Sequence, residues 1–252
     1  MSAVTQCLIL AAGNGSRIAS LAAGAPKPLV PVCGVPLLEH VMTSSREAGI
    51  KRFVIVAGYR ADLIRLWLSD RKIAGASVTL IENPEYHKAN GISALAAKAE
   101  FNQPFLLLMS DHIFEPKTAR ALIRQRVAND EVIVAVDPKI DRIFDLDDAT
   151  KVRCEGNHVV EIGKHFSRYN ALDTGMFLCS PALFSCLESA KKNGDCSLSD
   201  GMRKLTQQRK LRAFDIGGGH WQDVDSPQAL EHVERVFDRD FCGKQADSLV
   251  HA

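Results

Sequence analysis

Across 252 residues the sequence carries 31 Lys plus Arg against 30 Asp plus Glu, a formal net charge of +1, with 46% hydrophobic and 24% charged residues. That balance excludes a disordered, collagenous or coiled-coil chain, and it lacks the basic excess on which phosphate-driven nucleic-acid binding depends. No apolar run approaches the roughly 18 residues needed to cross a bilayer, so no integral membrane segment is expected.

Taken in chain order, the first half alternates short runs rich in Val, Ile and Leu with amphipathic stretches. Runs at 7–12, 53–57, 78–81, 105–109 and 132–136 are apolar on both faces, as buried parallel strands are. Helical patterns at 37–48, 61–69, 92–99 and 117–128 separate them, and the first stops at Gly49, a helix-ending residue. The alternation predicts right-handed crossovers and an open, mostly parallel Rossmann-like α/β sheet with helices on both faces. Ligands on such sheets sit at the carboxyl ends of the strands.

After about residue 138 the rhythm becomes α+β. Strands are expected at 151–153, 159–163, 175–179 and 211–215, and helices at 181–191, 199–208 and 227–237. Neither a repeat nor a Pro/Gly-rich linker divides the halves. The expectation is one domain over 1–237, with a ligand-binding half to about 138 and an added layer beyond it, followed by a flexible tail at 238–252. The N-terminus lacks a basic leader, and the seven cysteines contain no Cys-x-x-Cys pair. They read as reduced thiols in a cytoplasmic protein.

Leu10-Ala11-Ala12-Gly13-Asn14-Gly15-Ser16-Arg17, followed by Pro26-Lys27-Pro28, carries the sharpest chemistry. Glycines straight after a strand let backbone N–H groups cradle phosphate oxygens, and Arg17 and Lys27 add fixed positive charge. The plainer reading is a tight turn. A dinucleotide loop fails because position 18 is Ile, and a phosphate loop of the Walker type fails because no Gly-Lys-Ser/Thr follows. Asp111, in Met109-Ser110-Asp111-His112, ends the fourth strand where a carboxylate suits a divalent cation; capping the next helix is the alternative. Asp223 and Asp225 in Trp221-Gln222-Asp223-Val224-Asp225 fall on one side of an extended segment, as a shared metal site needs, although Asp225 also suits a helix cap. Asn90, Gly91 and Ser93 offer donors and acceptors that could read a base edge, or simply form a turn. Lys164 and the Asp173-Thr174-Gly175 segment end strands on the crevice side; an ordinary surface lysine is the alternative for Lys164. Of the eight histidines, His112 is the one placed to matter.

In this order the segments resemble the nucleotidyltransferases that activate sugar and alcohol phosphates, whose signature joins Leu-Ala-Ala-Gly-x-Gly-x-Arg, a downstream Pro-Lys, a strand-end Asp and a late Trp-x-Asp. The resemblance spans about residues 5–237. Residues 109–114, 148–152, 161–164, 173–177 and 221–225 look most like the branch that couples CTP to inositol-1-phosphate. In some members that activity is fused to a membrane synthase; here the transferase is expected to stand alone.

The resemblance implies a GT-A-like fold with an acceptor-side layer, and in-line attack of an alcohol phosphate on CTP. Leu10, Ala11, Ala12, Gly13, Asn14 and Gly15 would hold the nucleotide with Asn90, Gly91, Ser93 and Asp111, and Arg17 and Lys27 would be catalytic. Lys164, Asp173 and Thr174 would meet the acceptor, and Asp111, Asp223 and Asp225 would hold Mg²⁺ or another hard divalent cation. The expected partners are CTP and a small phosphorylated alcohol, with no nucleic acid. The competing expectations are a cytidylyltransferase for phosphocholine or an aminoalkylphosphonate, a sugar-1-phosphate nucleotidyltransferase, and a non-catalytic nucleotide-binding module.

Overall fold

The computed structural model describes residues 4–18, 24–71 and 73–237. The first half runs β1 (Gln6–Ala11), β2 (Pro31–Val32), β3 (Val35–Pro36), α1 (Leu37–Ala48), β4 (Arg52–Ala57), α2 (Ala61–Ser69), β5 (Ser77–Glu82), α3 (Asn90–Ala96), β6 (Phe105–Met109), β7 (His112–Phe114), α4 (Pro116–Ile123) and β8 (Val132–Asp137). The second runs β9 (Lys151–Glu155), β10 (His158–Gly163), β11 (Ala171–Cys179), α5 (Ala182–Ala190), α6 (Leu198–Gln207), β12 (Leu211–Asp215), β13 (Trp221–Asp223) and α7 (Pro227–Val236).

A nine-stranded sheet in the order β5-β4-β1-β6-β11-β8-β12-β10-β9 forms the centre. Strands β5, β4, β1 and β6 are parallel, and the chain crosses from one side of β1 to the other between β5 and β6. That reversal is the switch point at which open sheets bind ligands. The sheet is mixed rather than uniformly parallel, because β11 pairs antiparallel with both β6 and β8, and β10 pairs antiparallel with β12 and β9. In β11 the register shifts between Asp173 and Phe177, around Gly175 at φ 72°. A bulge of this kind bends a strand and re-aims its side chains.

The period-2 alternation of β1 explains the layering. Leu8 and Leu10 pack toward α3, α5 and α6, whereas Cys7, Ile9 and Ala11 pack toward α1, α2 and α4. Gly49 at φ 120° ends α1, a Ser197–Asp200 capping box starts α6, and Ser226 with Pro227 starts α7. Strand positions in the first half agree with the sequence reading to within a residue, while α4 stops at Ile123, short of the expected 128. The three-residue strands β7 and β13 were not expected; they are too short for periodicity to register. Cys7, Cys154, Cys179, Cys186 and Cys196 carry free thiols, but Cys33 is disulfide-bonded, against the expectation of seven reduced cysteines. The tail expected at 238–252 lies outside the described residues. Among the described residues no helix is long and apolar enough to cross a membrane.

Candidate functional site

Three contiguous hollows form one crevice over the carboxyl ends of β1 and β6. Gly13, Asn14, Gly15, Arg17 and Lys27 line its middle; Leu10, Ala12, Asn90 and Ser93 line one end; and Lys164, Asp173 and Trp221 line the other. Gly15 is required twice over. Its φ is 60°, and a Cβ there would lie 2.5 Å from the Cβ of Lys27. The glycine therefore allows the loop after β1 to close onto Lys27, which is 8% exposed.

The ammonium of Lys27 lies between two carboxylates, bonding Asp111 Oδ2 at 2.6 Å and pairing with Asp225 Oδ1. Arg17 continues the chain of charge, donating to Asp225 at 2.6 Å and to Asp148 at 2.9 Å. Lys164 closes it on the other oxygen of Asp148 at 2.6 Å. Cations and anions thus alternate along the crevice, in the order Lys164, Asp148, Arg17, Asp225, Lys27, Asp111. Burial opposes the charge on Asp111, but Lys27 and His112 outweigh it and hold the carboxyl well below the usual range. Burial likewise opposes Asp148, and its hydrogen bonds from Lys164 and Arg17 hold it low.

The small ribbon β7–β13 brings the late carboxylates here. Asp223 pairs with His112 in its register, and Val224 N–H donates to the Asp111 carbonyl at 2.9 Å. His112 Nδ1 meets Asp111 Oδ1 at 2.7 Å, and its ring stacks on Trp221 at 5.9 Å between centroids with a 10° interplanar angle. Burial pulls His112 down, yet Asp111, with Asp223 beyond it, leaves the imidazole above its ordinary value. Trp221 Nε1 is tied to Asp137 Oδ2 at 3.0 Å. On the facing strand, a Cβ at Gly175 would lie 2.5 Å from His112 Cδ2, so β11 closes on the imidazole because residue 175 is glycine. Burial raises Asp173 to about 6, offset only in part by the Gly175 N–H it accepts at 2.8 Å.

Most of the residues singled out in sequence meet in this crevice, with three departures. The side chain of Ala11 points into the opposite core layer, because Leu10 and Ala12 take the crevice side of the strand. Gly91 is buried against the segment that leads into α6, where a Cβ would lie 2.5 Å from the Cys196 carbonyl, so it serves the packing of α3 against the start of α6. Thr174 is fully buried on the far side of β11 and donates to the Ala135 carbonyl at 2.9 Å, because neighbouring residues of a strand face opposite ways. Asp148 carried no role in the sequence reading. Asp145, Asp147 and Asp148 all precede β9, and only the fold selects among them.

Among the described residues, Asp148, Asp223 and Asp225 form a group in which each offers an oxygen within 4.8 Å of the others. An all-oxygen set of this kind suits a hard divalent cation. Asp111, expected in that set, lies outside it here, with Lys27 on one of its oxygens and His112 on the other.

Comparison with known proteins places this geometry. A model of the MobA-like NTP transferase domain matches residues 7–213. A bifunctional IPC transferase and DIPP synthase of Rubrobacter xylanophilus is 37% identical over 230 residues, 90% of this chain and 51% of that protein. The chain spans about half the length of the bifunctional relatives it matches. A 2-aminoethylphosphonate cytidylyltransferase of Lancefieldella rimae is 33% identical over 168 residues, 64% of this chain and 61% of that one. The solved inositol-1-phosphate CTP transferase from T. maritima superposes with a TM-score of 0.84 at 27% identity, over 97% of both chains. A UDP-glucose pyrophosphorylase, at 18% identity and a TM-score of 0.79, shares the fold. The chain belongs to the nucleotidyltransferases, in the family of MobA-like NTP transferase domains.

Proposed function

We propose that this chain transfers the cytidylyl group of CTP to an alcohol phosphate of the inositol-1-phosphate type, forming a CDP-alcohol and pyrophosphate. The observation that carries the reading is the alternating array from Lys164 to Asp111, which links an acceptor cation to the glycine loop through one crevice. The names of the T. maritima and R. xylanophilus proteins support the choice of base and acceptor.

An oxygen of the acceptor phosphate attacks the α-phosphorus, the bond to the β-phosphate oxygen breaks, and pyrophosphate leaves. Such chemistry rests on positioning and charge neutralisation, with no covalent enzyme intermediate. The N–H groups of the Gly13–Gly15 loop face the triphosphate, and Arg17 neutralises its outer phosphates. Lys27, poised between the loop and the strand-end carboxylates, meets the charge that develops around the α-phosphate. Lys164 receives the acceptor phosphate, with Asp173 beside it for a hydroxyl. Asp148, Asp223 and Asp225, with Asp111 beside them, would hold a divalent cation, which would supply charge neutralisation at the reacting phosphates.

The test is pyrophosphate release across four NTPs and four acceptors: inositol-1-phosphate, aminoethylphosphonate, phosphocholine and glucose-1-phosphate. CTP with inositol-1-phosphate is expected to give the highest rate, lost on chelation of divalent cations. Equal rates with CTP, UTP and GTP overturn the cytidylyl reading. A preference for aminoethylphosphonate supports instead the alternative that the L. rimae relative suggests.

A further inference from the structure

We infer that Asn83 sets the base preference of the site by fixing which way the Ser93 hydroxyl points, an inference that rests on the proposed pyrimidine-nucleotide function. Asn83 follows β5 and is buried at 3% exposure. Its Oδ1 accepts the N–H of Glu85 at 2.9 Å, the local turn that an Asn-Pro pair favours. A backbone N–H cannot bond to the amide nitrogen, so this contact settles the orientation of the side chain. Nδ2 is therefore the end that faces Ser93, and it donates to Ser93 Oγ at 3.0 Å.

A hydroxyl that accepts from an amide keeps its own hydrogen to give. No acceptor among the described residues takes it, and Ser93 lines the end of the crevice beyond Ala12 and Gly13. The same logic governs Asn90. Its Oδ1 accepts the Leu198 N–H at 2.8 Å, which leaves its NH₂ as the group offered to the crevice. Each side chain thus keeps a hydrogen to offer a ligand, one lone pair of its oxygen being already engaged by the fold. Cytosine presents lone pairs at the adjacent O2 and N3, whereas N3 of uracil carries a hydrogen. The Ser93 hydroxyl donates to the first; it takes the hydrogen of the second on its remaining lone pair only by leaving its own buried hydrogen without an acceptor. A buried donor left unpaired forfeits a hydrogen bond, a discrimination of roughly 10- to 100-fold.

The experiment measures kcat/KM for CTP and for UTP, with one acceptor, in the unaltered enzyme and in Asn83→Asp and Ser93→Ala. Aspartate accepts from both Glu85 N–H and the Ser93 hydroxyl, which turns the serine lone pairs toward the base. The CTP-to-UTP ratio is expected to fall at least tenfold in Asn83→Asp and to fall in Ser93→Ala. A general loss of packing lowers both rates and leaves the ratio alone. If the unaltered enzyme prefers CTP and a folded Asn83→Asp keeps its ratio, the inference is overturned while the proposed function stands. Should Asn83→Asp not fold, an unchanged ratio in Ser93→Ala overturns it equally. Equal use of CTP and UTP by the unaltered enzyme overturns the function and this inference with it.

Discussion

Arg17 and Asp148, 131 residues apart in the chain, meet across the crevice at 2.9 Å, and the second oxygen of the same carboxylate holds Lys164 at 2.6 Å. The arginine of the glycine loop and the lysine at the other end of the array therefore share one anchor. Arg17 is about half exposed, so the bond contributes little to folding. In the proposed reaction its worth lies in aiming two cations at two phosphates.

A double-mutant cycle measures that coupling. Arg17→Ala and Asp148→Asn are each expected to lower kcat/KM, and the double variant to fall short of their sum by about 1 kcal/mol. Steady-state pyrophosphate release reads all three. Free energies that add to within about 0.5 kcal/mol would show that the bridge carries no coupling.

Lys27 stands between Asp111 and Asp225, the most enclosed cation of the array. Lys27→Ala and Asp111→Asn are each expected to lower kcat by roughly 10²- to 10³-fold, the usual cost of losing one preorganised charge at a reacting centre. Circular dichroism is expected to stay that of the parent. Near-normal turnover in both variants would remove Lys27 and Asp111 from the mechanism.

Asp173 makes stability depend on pH. Its carboxyl titrates near 6 in the folded chain against 3.8 in the reference state, so the folded state binds the proton more tightly. Its ionisation therefore destabilises the fold, and the penalty develops as pH rises from about 4 to 6 and persists above it. Asp173→Asn removes the penalty. In chelator, its melting temperature relative to the parent is expected to rise between pH 4 and 7 by roughly 5–10 °C. An offset that stays flat over that range contradicts the burial argument.

Gly175 permits the approach of β11 to His112 at a φ of 72°, and an added Cβ would stand 2.5 Å from the ring. Gly175→Ala is expected to cost about 2 kcal/mol and to displace His112 from Trp221 and Asp111, lowering turnover as well. Thermal melting and the near-ultraviolet dichroism of Trp221 report the two effects. An alanine variant with parental melting and activity would show that the strand yields freely.

Much of this was legible in the amino-acid sequence. Apolar runs of strand length such as 105–109, helix stops such as Gly49, and the spacing of Gly13, Gly15, Arg17 and Lys27 carry local rules. Those rules hold wherever the segment folds, so the sheet, its helical layers and the glycine loop after β1 could be read directly. Pairing and facing are different in kind. Whether Thr174 or Asp173 meets the crevice depends on a bulge in β11, and the choice of Asp148 over Asp145 and Asp147 depends on where Arg17 and Lys164 end. Gly91 proved to be a packing glycine because Cys196, in the segment leading into α6 about a hundred residues away, lies against it. The direction of the Ser93 hydroxyl came from Asn83, a neighbour across a turn. Residue types set which chemistry is available; long-range contacts, through their burial and hydrogen-bond partners, decided which atoms are left to perform it.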